Sequence, residues 1–174
     1  GEPRSYATTE RSDGNPPWTV SADTPDATVH FIINTDVDWS GGTSEPDGIE
    51  QIFLTTNGDI TAIELAGSML VGHIHSTAGD VTLTSPIRIL DADDQPTIDV
   101  TGDDITMTAG TAGGTGGVGE TDDYLEINVN RNNSTGVLTG TDTAGTSTDG
   151  VFLSDLLGNM RVDLVHTEGD VSLR

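Results

Sequence analysis

From residue 52 onward the chain alternates apolar and hydroxyl-bearing residues in short runs separated by glycine, aspartate and asparagine, a period of two that predicts half-buried β-strands. Four runs open on one signal, a turn followed by an aspartate and then the alternation. They are Asn57-Gly58-Asp59-Ile60-Thr61, Ala78-Gly79-Asp80-Val81-Thr82-Leu83, Gly102-Asp103-Asp104-Ile105-Thr106-Met107 and Glu168-Gly169-Asp170-Val171-Ser172-Leu173. The aligned Asp59, Asp80, Asp104 and Asp170 are spaced by 21, 24 and 66 residues, the last being three times 22. A longer match sets residues 67–75 against 158–166, with Gly, Met, Val and His recurring in order at an offset of 91, about four such periods.

A period in the low twenties is one coil of a β-solenoid, in which no coil is stable alone and each buries its inward residues on the next. The expected fold is therefore all-β, a right-handed parallel β-helix with coils of about 22 residues. A β-sandwich is the alternative, since it too gives short strands at close intervals. The expected core comprises Ile52, Leu54, Ile60, Ile63, Leu65, Ile74, Val81, Leu83, Ile98, Val100, Ile105, Met107, Leu125, Ile127, Val129, Leu138, Phe152, Leu164, Val171 and Leu173. Residues 1–27, broken by Pro3, Pro16, Pro17 and Pro25, read as an irregular leader, linker or cap, and 28–174 as the β-helix, whose first strand is residues 29–33. The glycine-rich run near 109–121 is expected to protrude as a loop insertion. The sequence stops within a strand-like pattern, as a fragment of a longer array would.

Composition narrows the partners. Only 6 basic residues, all arginine, stand against 29 acidic ones, a net charge of −23 that repels nucleic acid and anionic lipid and favours a cation-rich setting. With no cysteine, disulfides, thiolate metal sites and thiol nucleophiles are excluded. No run of about 18 apolar residues predicts membrane insertion of this segment, and no signal peptide opens it.

From about residue 52 to 174 the chain resembles the repeat regions of giant bacterial exoproteins and adhesins of the filamentous-haemagglutinin kind. The likeness is carried by Leu70-Val71-Gly72-His73-Ile74-His75-Ser76, Gly79-Asp80-Val81-Thr82-Leu83, Tyr124-Leu125-Glu126-Ile127-Asn128-Val129 and Gly150-Val151-Phe152-Leu153. The resemblance implies a secreted, non-catalytic shaft at the bacterial cell surface. It would attach to a cell-surface or extracellular-matrix component, carbohydrate among them, and pack against neighbouring repeats of its own chain.

Turn carboxylates are the candidate chemistry. Asp91, Asp93 and Asp94 before Pro96, the pair Asp103 and Asp104, and the pair Asp122 and Asp123 are hard oxygen ligands of the kind that bind Ca²⁺, and Asp36 with Asp38 forms a further pair. Each also suits an ordinary solvated turn. His73 and His75 share a strand face, and His166 aligns with His75 at the 91-residue offset, too many coils away to share one metal. Paired aspartates keep a Ca²⁺-dependent carbohydrate-binding or polysaccharide-processing β-helix as the alternative function. Against it, the chain has no lysine to neutralise an anionic sugar. The threonine rows, such as Thr82 with Thr84 and Thr106 with Thr108, look irregular and are covered by β-propensity.

Overall fold

The computed structural model describes residues 4–5, 18–22, 29–33, 51–65, 67–93, 95–111, 114–129, 135–144 and 150–174, and every regular element among them is a β-strand. Parallel strands stack into a β-solenoid with coils of about 24 residues. One sheet runs β1 (Arg4–Ser5), β3 (Val29–Ile33), β5 (Ile60–Glu64), β7 (Val81–Ser85), β10 (Ile105–Ala109), β12 (Leu138–Asp142), β14 (Val162–His166). The other runs β2 (Trp18–Ala22), β4 (Gln51–Thr56), β6 (Met69–Ser76), β9 (Val100–Thr101), β11 (Leu125–Asn128), β13 (Gly150–Asp155), β15 (Asp170–Leu173), with β8 (Ile89–Asp91) also paired to β6. A sandwich of antiparallel sheets is thereby excluded, because every pairing is parallel.

The alternation read from the sequence becomes vertical columns. In the first sheet Ile60, Val81, Ile105 and Leu138 lie in register and point inward, and the next inward column is Ala62, Leu83, Met107 and Gly140. Small residues thus flank large ones along the axis, which lets neighbouring coils interlock without voids. The second sheet answers with Leu54, Ile74, Val100 and Ile127. Each such aliphatic is almost wholly buried and contributes roughly 1.5–3 kcal/mol through removal of its apolar surface from water.

Polar residues occupy the inward positions where the chain turns a corner, and each serves the backbone there. Glu64, 2% exposed, accepts the Leu65 N–H at 3.0 Å through Oε1. Ser76 Oγ donates to the Gly58 carbonyl at 2.8 Å and accepts the Gly79 N–H at 2.8 Å, while Ser85 Oγ donates to the Gly67 carbonyl at 3.0 Å. Asp142 Oδ1 accepts the Ala144 N–H at 2.9 Å. Buried backbone groups at the corners require such partners.

Several expectations change. The period is not constant: Ile60, Val81, Ile105, Leu138 and Val162 are successive partners, with steps of 21, 24, 33 and 24 residues. Asp170 opens β15 in the second sheet, whereas Asp59, Asp80 and Asp104 precede strands of the first, so the 66-residue step is not three coils. For the same reason the 91-residue match fails as a super-repeat, since residues 69–75 lie in β6 of one sheet and 162–166 form β14 of the other. Of residues 1–27, only residues 4–5 and 18–22 are described; β1 pairs in parallel with β3, and Trp18–Ala22 with residues 52–56.

The glycine-rich run does not simply protrude. Residues 116–119 are buried, and Val118 bridges Ile89 on one side and Val151 on the other, filling a rung of the core. Glycine is required there by close approach: a Cβ on Gly119, whose φ is +66, would meet the Phe152 carbonyl oxygen at 2.2 Å. Among the expected core residues, Ile63 and Ile98 are only half-buried, and Leu65 is 55% exposed. In β5 the inward positions belong to Ile60, Ala62 and Glu64, which turns Ile63 outward. Leu164, Val171 and Leu173 are exposed because β14 and β15 are the outermost strands of their sheets. Met69, Val71, Ile89, Val118, Val151 and Leu153 complete the core instead.

Candidate functional site

The aspartates that precede the first-sheet strands form a hydrogen-bonded ladder. Asp59 Oδ1 accepts the Asp80 N–H at 3.0 Å, Asp80 Oδ1 accepts the Asp104 N–H at 3.0 Å, and Asp104 Oδ1 accepts the Val137 N–H at 2.8 Å. Each carboxylate thus satisfies a backbone donor of the following coil, which explains why the sequence repeats Asp at this corner. Asp103 is half-buried and donates its N–H to the Gly79 carbonyl at 2.9 Å. Asp104 therefore acts in coil-to-coil pairing.

The other expected ligands are dispersed. Asp93 is exposed, donates its N–H to Asp91 Oδ1 at 3.1 Å and accepts the Gln95 N–H at 3.0 Å, a local turn pattern. Asp122 is exposed beside an open cleft of about 160 Å³ that also holds the Arg88–Glu120 ion pair at 2.6 Å. Asp123 closes a tight turn with Glu120 through backbone hydrogen bonds of 2.7 and 3.3 Å. Asp36, Asp38 and Asp94 lie outside the described residues.

Among the described residues, Asp91 alone of the expected set joins a three-acid cluster, and its companions are Asp99 and Glu126, neither of which the sequence singled out. One carboxylate oxygen from each lies within 4.8 Å of the others. Asp91 ends β8, Asp99 immediately precedes β9, and Glu126 sits in β11 one coil on. Reciprocal bonds lock the last two together: the Asp99 N–H donates to the Glu126 carbonyl at 3.0 Å, and the Glu126 N–H donates to Asp99 Oδ2 at 3.0 Å.

Asp99 is 1% exposed, and its Oδ1 accepts no hydrogen bond. Burial pushes its carboxyl from the usual 3.8 up to about 8, with the charge of Asp91 adding to the shift and the Glu126 N–H opposing it. The charges of Glu126 and Asp93 push the same way. Glu126 is also raised, first by burial and then by Asp91 and Asp123, against a hydrogen bond with Asp99 that lowers it. Packing the three acids together where water is scarce thus disfavours their charged forms.

The threonine rows, irregular in sequence, are regular in space. Thr61, Thr82, Thr106 and Thr139 lie in register on the outward face of the first sheet, and Thr84, Thr108 and Thr141 form a second row two residues on. All seven are half-buried. The unequal 24- and 33-residue steps disguised the rows, because the extra residues are absorbed outside the strands. Strand geometry sets such rows about 6.7 Å apart, with about 4.8 Å between coils.

His73 and His75 do share a face of β6, their rings in edge contact at 5.4 Å, whereas His166 stands in the other sheet. Just before β11, the Tyr124 hydroxyl donates to Ser172 Oγ of β15 at 2.6 Å, and the Arg174 guanidinium lies 3.4 Å from the Tyr124 ring centroid.

Fold and surface together define the chain as an acidic β-solenoid with ordered outward rows. Compared with known proteins, it matches no family model, no curated protein and no solved structure.

Proposed function

We propose that the chain is a structural and adhesive segment of a large secreted bacterial surface protein, of the filamentous-haemagglutinin kind that its sequence resembles. The observation that carries this reading is the outward threonine array, seven hydroxyls in two rows drawn from consecutive coils of one sheet. Such a face offers donors and acceptors at a fixed repeat, matched to a partner with its own regular hydroxyls, such as a cell-surface or matrix carbohydrate. The solenoid supplies stiffness, because each coil is fixed to its neighbours by continuous ladders and by the aspartate bonds at the corner.

The reading is non-catalytic. The strongest rival is carbohydrate processing by paired carboxylates, and the 1% exposure of Asp99 weighs against direct contact of its acid with a polymer substrate. Beads coated with the purified chain should adhere to glycan- or matrix-coated surfaces, and Thr106→Arg, at the centre of the array, should reduce capture while leaving the circular dichroism spectrum unchanged. Equal capture by the variant, or glycan turnover by the wild type, would contradict the proposal.

A further inference from the structure

We propose that Asp91, Asp99 and Glu126 form a binding site for a hard divalent cation, Ca²⁺, clamped between two successive coils where the chain leaves the sheet after Asp91 and re-enters it at Val100. Asp91 lies opposite Val71 and Val100 opposite Ile74, so the chain leaves the sheet just after Asp91 and re-enters just after Asp99. The two acids therefore stand at either foot of one loop. Glu126 joins them from the next coil, its carbonyl accepting the Asp99 N–H and its N–H donating to Asp99 Oδ2.

Two independent observations point to a cation rather than to a solvated acidic turn. First, the three ligand oxygens lie within 4.8 Å of one another. Oxygens on opposite sides of a Ca²⁺ with bonds of about 2.4 Å stand about 4.8 Å apart, so one ion spans the set. Second, Asp99, a member of the cluster, is 1% exposed and its Oδ1 receives no donor. A buried carboxylate oxygen left without a partner is costly, and a cation at the centre of the cluster would satisfy it while offsetting the mutual repulsion.

The donor set selects the metal class. All three groups are carboxylates, and the chain contains no cysteine, so hard oxygen-seeking ions are favoured over thiophilic ones. Ca²⁺ is preferred to Mg²⁺ because it accepts an irregular ligand arrangement completed by water, whereas Mg²⁺ demands a near-ideal octahedron. Bound there, the ion would tie the loop foot to two coils.

The test is the thermal unfolding midpoint of the full chain in millimolar Ca²⁺ against chelator, at high salt so that diffuse binding to the −23 surface is screened. Wild type should shift upward by several degrees with Ca²⁺ and less with Mg²⁺, and calorimetric titration should give one ion per chain. Asp99→Asn and Glu126→Gln should each abolish the Ca²⁺-dependent shift, whereas Asp122→Asn, in an exposed aspartate outside the cluster, should retain it. The increment is read within each variant, so a change in a variant's own stability does not obscure the outcome. No Ca²⁺ shift in the wild type, an equal shift in Asp99→Asn, or a shift with Mg²⁺ as large as with Ca²⁺ overturns the assignment.

Discussion

Raising the pH in the presence of chelator should destabilise the fold through Asp99, and the size of the effect follows from its surroundings. In the folded chain its carboxyl holds a proton up to about pH 8, whereas in the unfolded chain it loses that proton near the usual 3.8. Across the window between these values the folded state binds one more proton than the unfolded state at this site. Stability therefore falls as the pH rises through the window, and this contribution is flat below and above it. One proton corresponds to about 1.4 kcal/mol per pH unit, so roughly 3 kcal/mol is lost between about pH 5 and about pH 7. Burial of Asp99 at 1% exposure means that solvent does little to screen the effect. Glu126 and Asp155 are shifted in the same direction, so the total slope is shared, and the comparison must be with Asp99→Asn, which keeps the shape and removes the titration. The assay is urea unfolding at several pH values in chelator for both proteins. The variant should show a slope shallower by about 1.4 kcal/mol per pH unit. Parallel slopes would refute the buried-acid account.

Other expectations test the stacking. Leu83→Ala removes a fully buried side chain between Ala62 and Met107 and should cost about 2–5 kcal/mol in urea unfolding, whereas Leu65→Ala, at a 55% exposed site, should be nearly neutral. Gly119→Ala forces a Cβ onto the Phe152 carbonyl oxygen in a left-handed conformation and should destabilise by about 1–3 kcal/mol or more, while Gly140→Ala, whose Cβ would meet Val151 at an ordinary 3.4 Å, should be tolerated. Asp80→Ala removes the acceptor of the Asp104 N–H and should cost about 0.5–1.5 kcal/mol, most of it recovered in Asp80→Asn, which keeps the side-chain oxygen.

The solenoid was legible because its signal is local and repeated: an aspartate before Ile60, Val81 and Ile105, then strict alternation, marks three consecutive strands of one sheet. Assignment of strands to sheets was not legible, because both sheets carry the same alternation and the same Gly-Asp-Val phrase. Asp170 and His166 were therefore placed in the wrong columns. The period was blurred for a physical reason, since extra residues at corners and excursions leave the in-register strands undisturbed. The acid cluster was hidden by its chemistry. Asp99 within Ile98-Asp99-Val100 and Glu126 within Leu125-Glu126-Ile127 each read as an outward polar residue of an alternating strand, and they are 27 residues apart. Aligning these two apolar-acid-apolar triplets at one coil's spacing is the signal that would have paired them. Asp91 stood out as a turn residue, but it is only 7% exposed.

The central claim is that successive coils stack in register so that outward residues recur along one face, and spin-label distances test it most directly in a chain with no native cysteine. Cysteines replacing Thr82 and Thr106, Thr82 and Thr139, or Thr61 and Thr139 span one, two and three coil steps. The inter-label separation should grow by about 4.8 Å per step along that series. Separations that follow sequence distance instead, with residues 106 and 139 far apart, would contradict the stack.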